Sequence, residues 1–454
     1  MPSPRDFINR EISRYRTELL DFLRIPSIST DPEHVGDMAE AAEWLRARMT
    51  QAGLKAAVET TEGHPVVVGR HRAQDPDAPT LLVYGHYDVQ PPEPLEPWTS
   101  LPFEPEVRDG RIWGRGAADD KSQIFLQVAA AEAALATTGL PVNLTLLFEG
   151  EEEIGSPSLV PWVRDRADEL AADHVLIADS MMFAPGRPSL IFGMRGIAYF
   201  EIEATIGSTD LHSGQYGGAV PNPANALAAV IASMHEGGRV AIDGFYDHVV
   251  MPPEHVREQW RWLGFDEDAF RETAGGAALV GEPGYSTPER LWVRPALDVN
   301  GLVGGYTGAG KKTVLPASAL AKLSTRLVPE QDPTRIEDAL RAHVERVAPE
   351  GVAFEVRSLQ DNRPWRDDPD APLFRAAAGA LEDVFGTEPV LVAHGGTLPI
   401  APELRDILGA TVAVMGFALP GANMHAPDEW FPVAHLEQGM KTVTRLYERL
   451  REGA

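Results

Sequence analysis

Short apolar segments recur along the first part of this chain, and histidine or acidic residues lie just after three of the four. The segments are Pro65–Val68, Leu81–Tyr84, Leu144–Phe148 and Val175–Ala178, and helix-like stretches such as Ser122–Ala136 separate them. Alternation of short apolar runs with helical stretches predicts an α/β sheet whose strands are joined by helices. Open α/β sheets place their sites beyond the carboxyl ends of the strands. We therefore expect the chemistry to lie where polar residues follow these segments.

A change of pattern near Gly196 predicts a second domain. A long alternating strand, Ala198–Ile206, and a helix, Asn222–Met234, are followed by a stretch rich in glycine and proline that extends to about residue 310. Strand and helix signals then resume, and the earlier pattern returns after Arg363. We predict one domain from residues 1–196 and 363–454, with an α+β domain inserted at residues 197–362.

The charge balance excludes several partners. The 40 basic and 67 acidic side chains leave a formal net charge of -27, which repels nucleic-acid phosphates and anionic lipid surfaces. The chain has no cysteine, so any metal must bind to His, Asp or Glu, and this absence fits a reducing compartment. The sequence also has no pattern typical of a secretory signal or a membrane-spanning helix, so we expect the cytoplasm as its location. We expect neither nucleic acid nor membrane as a partner.

Five residues with metal-ligating side chains follow apolar strands: His86, Asp119, Glu153, Asp179 and His425. Each of them taken alone also fits a solvated loop or a helix N-terminus that favours acids. Their shared position at strand ends favours a common site. Two divalent cations beside three carboxylates carry a charge of +1, which one hydroxide neutralises, so the cluster suits the activation of water. No G-x-S-x-G or H-E-x-x-H motif occurs, which counts against a serine hydrolase and a single-zinc protease.

Several longer motifs occur in the order GHYDVQP, GRGAADDKS, FEGEEEIGS, FGMRGIAYFEIE and DLHSGQYGG. With them the chain resembles, over nearly its whole length, the dinuclear-zinc metallopeptidase family. That family includes carnosine dipeptidases, cytosolic non-specific dipeptidase, aminoacylase, succinyl-diaminopimelate desuccinylase and glutamate carboxypeptidase. The motifs look most like those of the dipeptidase branch. The resemblance implies an α/β mixed-sheet catalytic domain with helices on both faces, and an inserted lid domain that forms a homodimer.

The resemblance also implies roles for residues of the first domain. It implies two divalent metal ions per subunit, zinc first with manganese or cobalt as alternatives, bound by five ligands: His86 and Asp179 on one ion, Glu153 and His425 on the other, and Asp119 bridging both. Asp88 would orient His86, and Glu152 would be the general base that takes a proton from the bridging water. A cis peptide bond is expected between Asp119 and Asp120.

For the remaining site residues the resemblance implies contacts with the substrate. His212 would reach the partner subunit's active site and hydrogen-bond the oxyanion that forms there. Arg326 would pair with the free carboxylate of the substrate, and Gly395, Gly396 and Thr397 would add donors to the same carboxylate.

Two substrate classes and one non-enzymatic alternative remain open. The first class is dipeptides or short peptides with a free C-terminal carboxylate. The second is N-acyl amino acids, because this chain has His394 where the dipeptidase branch tends to carry an acid that helps to hold a substrate amino group. The remote alternative is a non-catalytic binding protein on the same scaffold.

Overall fold

The structure, a computed structural model, describes residues 2–453. The chain divides into two compact units. Unit 1 contains residues 2–192, 367–392 and 400–453, and unit 2 contains residues 193–366 and 393–399. The sequence analysis placed the changes of domain at 196/197 and 362/363, and the structure has them at 192/193 and 366/367. The structure also assigns the short segment 393–399 to unit 2, which the sequence analysis did not.

Within residues 2–453 the structure has α-helices at the following positions: α1 Pro4–Leu23, α2 Val35–Gln51, α3 Lys121–Leu135, α4 Leu159–Asp165, α5 Ser213–Tyr216, α6 Pro223–Ser233, α7 Glu254–Arg261, α8 Glu267–Thr273, α9 Thr287–Trp292, α10 Pro333–Val347, α11 Pro372–Phe385, α12 Ile400–Leu408 and α13 Val433–Glu452. Short 3-10 helices occur at Pro32–His34 and Glu152–Ile154. Among these helices, none combines the length and the apolar character that crossing a membrane requires.

The same residues form strands at the following positions: β1 Lys55–Glu59, β2 Val66–His71, β3 Thr80–His86, β4 Glu106–Arg108, β5 Arg111–Trp113, β6 Asn143–Glu149, β7 His174–Ile177, β8 Ser189–Met194, β9 Gly196–Thr205, β10 Leu211–His212, β11 His235–Glu236, β12 Arg239–Val240, β13 Ala296–Gly304, β14 Val314–Leu315, β15 Ser318–Leu327, β16 Ala353–Asn362, β17 Trp365–Arg366, β18 Val390–His394, β19 Thr411–Val414 and β20 Trp430–Pro432.

A mixed sheet forms the centre of unit 1, with the strand order β1-β2-β6-β3-β7-β19-β8. The four strands β6, β3, β7 and β19 run parallel to one another. Strands β1, β2 and β8 pair antiparallel with their neighbours. Every residue of β6 is buried, as expected for a strand that is covered on both faces. The predicted mixed α/β architecture is confirmed, and the parallel strands direct their carboxyl ends to one edge.

Helices cover this sheet in two separate groups. Helices α1, α3, α11 and α13 pack against one another, and α3 also contacts β3 and β6. Helices α4 and α12 form the second group, and α12 contacts β7 and β19. Helix α3 is apolar on all sides, with 13 of its 15 residues buried, because it lies between the sheet and the helices α1 and α13. Its N-terminus is thereby held firmly beside the ends of the parallel strands.

Unit 2 is built on an antiparallel sheet with the strand order β13-β15-β9-β16. Its strands alternate between buried and exposed residues, as in β15, because one face packs on the helices α6 and α10. Side chains such as Phe200, Leu227 and Leu340 form the core between sheet and helices. The Gly- and Pro-rich stretch that gave no clear sequence signal contains helices α7 to α9 and the edge strand β13.

Candidate metal centre

His86 is the last residue of β3, and its side chain is fully buried. Its Nδ1 lies 3.1 Å from the carbonyl oxygen of Asp88 and 3.3 Å from Asp88 Oδ1. A proton on Nδ1 is therefore shared with Asp88, so that Nε2 faces the centre, where its lone pair would be available to a bound metal ion. The Asp88 carboxylate also accepts hydrogen bonds from the backbone N–H groups of Glu152 and Glu153, at 3.3 and 3.1 Å. Asp88 thus orients three residues of the centre together.

Asp119 lies in the loop that leads from β5 into α3. The peptide bond between Asp119 and Asp120 is cis, as the resemblance implied. Asp119 Oδ1 is 2.9 Å from His86 Nε2, and Asp119 Oδ2 is 2.9 Å from His425 Nε2. The two oxygens of one carboxylate therefore face two different histidines, which is the arrangement that a bridging ligand requires.

Two adjacent glutamates follow β6 in the 3-10 helix Glu152–Ile154. Adjacent side chains diverge, and here they have different neighbours. Glu153 Oε2 lies 3.3 Å from His425 Nε2 and accepts a hydrogen bond of 2.7 Å from Gln90 Nε2. Glu152 belongs to neither group of candidate ligand atoms that the structure brings together. The amide of Gln90 thus holds the Glu153 carboxylate in place for metal binding, whereas the Glu152 carboxylate is available to exchange protons.

Asp179 follows β7, two residues after its end, and Asp179 Oδ2 lies 3.8 Å from His86 Nε2. His425 lies in the loop before β20 and is the more exposed of the two histidines, with 53% of its side chain accessible. Its backbone has a φ of 60°, a left-handed conformation that a residue other than glycine adopts only where the surrounding structure holds it.

The five predicted ligands form two overlapping groups of three. Potential ligand atoms lie within 4.8 Å of one another in each group: His86, Asp119 and Asp179 in the first, and Asp119, Glu153 and His425 in the second. Asp119 belongs to both. Imidazole nitrogen and carboxylate oxygen together suit zinc, and also manganese or cobalt. Both groups therefore have the donor chemistry and the spacing to bind a divalent cation.

Electrostatics within the centre favour added positive charge. Burial, together with the nearby carboxylates of Asp179, Glu153 and Asp119, raises the pKa of Glu152 to about 9, although His86 opposes this shift. Burial and the charge of Asp119 raise the pKa of Glu153 to about 7 and that of Asp179 to about 6. These acids bind protons more tightly than usual because their negative charges are crowded in a buried place. A divalent cation would compensate the same charges in place of protons.

The bridging position of Asp119 has the opposite electrostatic character. Burial alone would raise the pKa of Asp119, but hydrogen bonds with His425 and His86 hold it well below its usual value. The hydrogen bond with Asp119 and the charge of Glu153 raise the pKa of His425 to about 9. The Asp119 carboxylate therefore stays ionised at the middle of the cluster, as a ligand must.

Glu429, which the sequence analysis did not identify, organises the loop that carries Asp119. Its fully buried carboxylate accepts hydrogen bonds from the backbone N–H groups of Gly116, Ala118 and Asp119, at 2.9, 2.7 and 3.1 Å. It also accepts one of 2.7 Å from Arg115 Nη1. Strand β20, directly after Glu429, pairs with β5, directly before this loop. The only sequence signal is an acid four residues after a ligand histidine.

The other predicted site residues lie in unit 2. His212 ends β10, is exposed, and accepts a hydrogen bond from the Gly214 N–H at Nδ1. Arg326 lies in β15, and its Nη1 donates a hydrogen bond of 3.3 Å to Thr397 Oγ1. Gly395 and Gly396 precede Thr397 in the same short segment. The structure thus brings Arg326 and the Gly395–Thr397 segment together, as a carboxylate subsite requires.

The chain is similar to a peptidase family model, to two dipeptidases and to one solved peptidase structure. A family model described as peptidase family M20/M25/M40 matches residues 82–449. The cysteinylglycine-S-conjugate dipeptidase of Corynebacterium striatum is 31% identical over 431 residues, which cover 93% of this chain and 91% of that protein. The human Beta-Ala-His dipeptidase is 30% identical, covering 80% of this chain and 73% of that protein. The crystal structure of the M20 family metallo-carboxypeptidase Sso-CP2 from Sulfolobus solfataricus has a TM-score of 0.80 and 32% identity, covering 96% and 99% of the two chains.

Proposed function

Because the chain belongs to the peptidase family M20/M25/M40, we propose that it hydrolyses the amide bond of dipeptides or short peptides that have a free C-terminal carboxylate. The observation that carries this proposal is the shared position of Asp119 between two ligand groups, together with Glu152, whose pKa is raised by carboxylates of both groups although it belongs to neither. The names of two relatives, both dipeptidases, support the same substrate class. They do not favour N-acyl amino acids, the second class that the sequence left open.

We further propose that the centre holds two divalent ions per subunit, with zinc first and manganese or cobalt as alternatives. His86 and Asp179 would bind one ion, Glu153 and His425 the other, and Asp119 both. Ions bound there would polarise the substrate carbonyl and make a nearby water more acidic. Glu152 takes the proton of the attacking water and passes it to the nitrogen of the leaving amine. Asp88 keeps the His86 ring in the orientation that this site needs.

Further predicted site residues bind the rest of the substrate in this proposal. The Arg326 guanidinium pairs with the terminal carboxylate, since its planar fork matches both oxygens. Gly395, Gly396 and Thr397 donate further hydrogen bonds to that carboxylate. His212 stabilises the oxyanion in the active site of the partner subunit of a homodimer. A cytoplasmic location remains a prediction.

The test combines metal and substrate in one experiment. The protein is treated with a chelator, zinc, manganese or cobalt is added back separately, and hydrolysis of free dipeptides and N-acyl amino acids is followed by mass spectrometry. We expect cleavage of dipeptides that depends on the added metal. Preference for N-acyl amino acids would replace the substrate class, and activity that the chelator leaves unchanged would contradict the metal-dependent mechanism.

A further inference from the structure

Two arginines of unit 2 meet at the segment Gly395–Thr397. Arg195 lies between β8 and β9, and its Nε donates a hydrogen bond of 3.1 Å to the carbonyl oxygen of Gly395. Arg326 donates to Thr397 Oγ1, and Thr397 Oγ1 in turn donates a hydrogen bond of 2.8 Å to the carbonyl oxygen of Arg195. Both guanidinium groups are thus fixed by one segment, through contacts with neutral acceptors.

Neither guanidinium has a carboxylate partner at ion-pair distance in residues 2–453. Arg195 is mostly buried, and burial together with the like charge of Arg326 lowers its pKa to about 10. Asp298, on β13, opposes this shift from a longer distance. A guanidinium carries five N–H donors, and each of these two uses few of them within the protein. Two adjacent positive charges without paired acids are a strained arrangement that anions relieve.

His394 adds a third donor and no negative charge. Its Nδ1 accepts a hydrogen bond of 3.0 Å from the Gly396 N–H, so the proton of the neutral ring lies on Nε2. Burial and the charge of Arg195 lower the pKa of His394, which keeps the ring neutral near pH 7. All three side chains around this segment therefore present donors, and none of them offers a carboxylate to an arginine.

We propose that Arg195 and Arg326 form a site for two carboxylates, and that the preferred substrates are dipeptides whose C-terminal residue is aspartate or glutamate. Arg326 binds the terminal carboxylate, as in the proposed function, and Arg195 binds the side-chain carboxylate, each as a charge-assisted pair. A neutral C-terminal residue leaves one guanidinium without an anion. This inference rests on the proposed peptidase function and names its substrate class.

The test compares dipeptides that differ only in charge. With the metal-loaded enzyme, kcat/KM is measured for Ala-Glu, its neutral isostere Ala-Gln, and Ala-Ala. We expect Ala-Glu to exceed Ala-Gln by roughly tenfold or more, the ratio typical of one well-placed charge-assisted hydrogen bond. Equal values for Ala-Glu and Ala-Gln would overturn the inference and leave the peptidase function standing. Failure to cleave any dipeptide would overturn both.

Variants then locate the charge preference. Arg195→Gln lowers the Ala-Glu to Ala-Gln ratio towards one. His394→Glu places a carboxylate beside Arg195, competes with the substrate side chain, and lowers the same ratio by a different route. Arg335→Gln, an exposed position of unit 2, serves as the control and retains the wild-type ratio. Because the readout is a ratio between two substrates, a general loss of stability in a variant does not imitate it, and unchanged ratios in both variants would contradict the assignment.

Discussion

The carboxylate of Glu429 accepts a hydrogen bond of 3.1 Å from the backbone N–H of Asp119, a residue 310 positions earlier in the chain. Glu429 also lies four residues after His425. One buried carboxylate therefore ties the loop of the bridging ligand to the loop of a terminal ligand, and the 2.9 Å contact between Asp119 and His425 depends on both loops. Glu429 acts on the centre by positioning these ligands.

Glu429→Gln is expected to weaken metal binding. The carboxamide replaces one accepting oxygen with an NH2 group that faces backbone N–H donors, so part of the Asp119 loop loses its support. Changes in partners of metal ligands typically cost roughly 10- to 100-fold in affinity. Competition with a chromophoric chelator measures the affinity, and the visible spectrum of the cobalt-substituted protein reports the ligand geometry.

Glu282→Gln is the matched control for that experiment. Glu282 is a buried glutamate of unit 2 that pairs with Arg294 through both oxygens, at 2.6 and 2.9 Å. Its substitution is expected to lower the free energy of unfolding without changing zinc affinity or the cobalt spectrum. An equal loss of metal affinity in both variants would mean that Glu429 acts through overall stability.

Removal of single ligands is expected to change the number of metal ions in a defined way. Asp179→Ala and His425→Ala should each reduce the count from two per chain to one, because they belong to different ligand groups. Asp119→Ala should weaken the binding of both ions, since its carboxylate belongs to the two groups. Metal analysis after gel filtration measures the count. A count of one ion per chain in all three variants would contradict a shared ligand.

Glu152→Gln is expected to retain both ions and to lower kcat by about 100- to 10,000-fold, because a carboxamide accepts no proton. Glu151→Gln is the control. Glu151 is the adjacent buried glutamate, and its carboxylate accepts hydrogen bonds from the His64 and Ser158 N–H groups at 2.8 and 3.0 Å. The Glu151→Gln substitution should lower the free energy of unfolding but leave kcat within a small factor of the wild-type value. Steady-state kinetics with a dipeptide would reject the proton-transfer role if Glu152→Gln remained fully active.

His212→Ala tests whether active sites are shared between subunits. The variant alone should fold and be nearly inactive, because the oxyanion loses a donor. After unfolding and refolding together with Glu152→Gln, half of the dimers are mixed, and each mixed dimer has one complete site. Roughly a quarter of wild-type activity should therefore return. No recovery of activity would mean that each subunit uses its own His212 or none.

His435 provides a test of pH dependence outside the metal centre. Burial lowers the pKa of His435 below its usual 6.5, against the hydrogen bond of its Nδ1 to the Phe417 carbonyl oxygen. Above pH 6.5 its contribution to stability is fully present. As the pH falls below this value the unfolded chain binds more protons than the folded one, and stability is lost at up to about 1.4 kcal/mol per pH unit.

Urea unfolding of wild type and His435→Gln between pH 7.5 and about 5 measures this effect. The variant should be less stable at neutral pH and should lose less stability on acidification. His71 and His174, whose pKa values burial also lowers, contribute equally to both proteins and cancel in the difference. Parallel curves for the two proteins would contradict the assignment.

The sequence predicted the elements whose patterns are local. The apolar runs Leu81–Tyr84 and Leu144–Phe148 lie in β3 and β6, and the predicted helix Asn222–Met234 agrees with α6, Pro223–Ser233, to within one residue at each end. Strand β13 was missed because it is an edge strand with exposed polar residues and Gly301, a composition typical of loops. The sequence pattern placed residues 393–399 in the first domain, whereas they belong to unit 2. Their partners there, Arg195 and Arg326, are distant in sequence, so no local pattern indicates the contact.

The candidate ligands could be identified because, like the strands, they belong to local sequence patterns. His86, Glu153 and Asp179 each follow a strongly apolar strand, and parallel strands direct such residues to one edge. Glu429 had no comparable signal, because its partners are backbone N–H groups that every residue carries. The sequence likewise contains no sign that Arg195 and Arg326 lie together without a paired carboxylate, since this depends on which acids the fold brings near them.

The position of β19 in the sheet has a consequence for how this protein is made. β19 lies between β7 and β8, and it is synthesised only after the whole stretch 193–366 of unit 2. A nascent chain that has left the ribosome up to residue 400 therefore has a sheet with a missing central strand, and it lacks His425 and Glu429. Asp119 and Glu153 therefore lack His425, the third member of their ligand group, until translation is nearly complete. The second ligand group is consequently completed late, and a chain that terminates before His425 cannot form both groups.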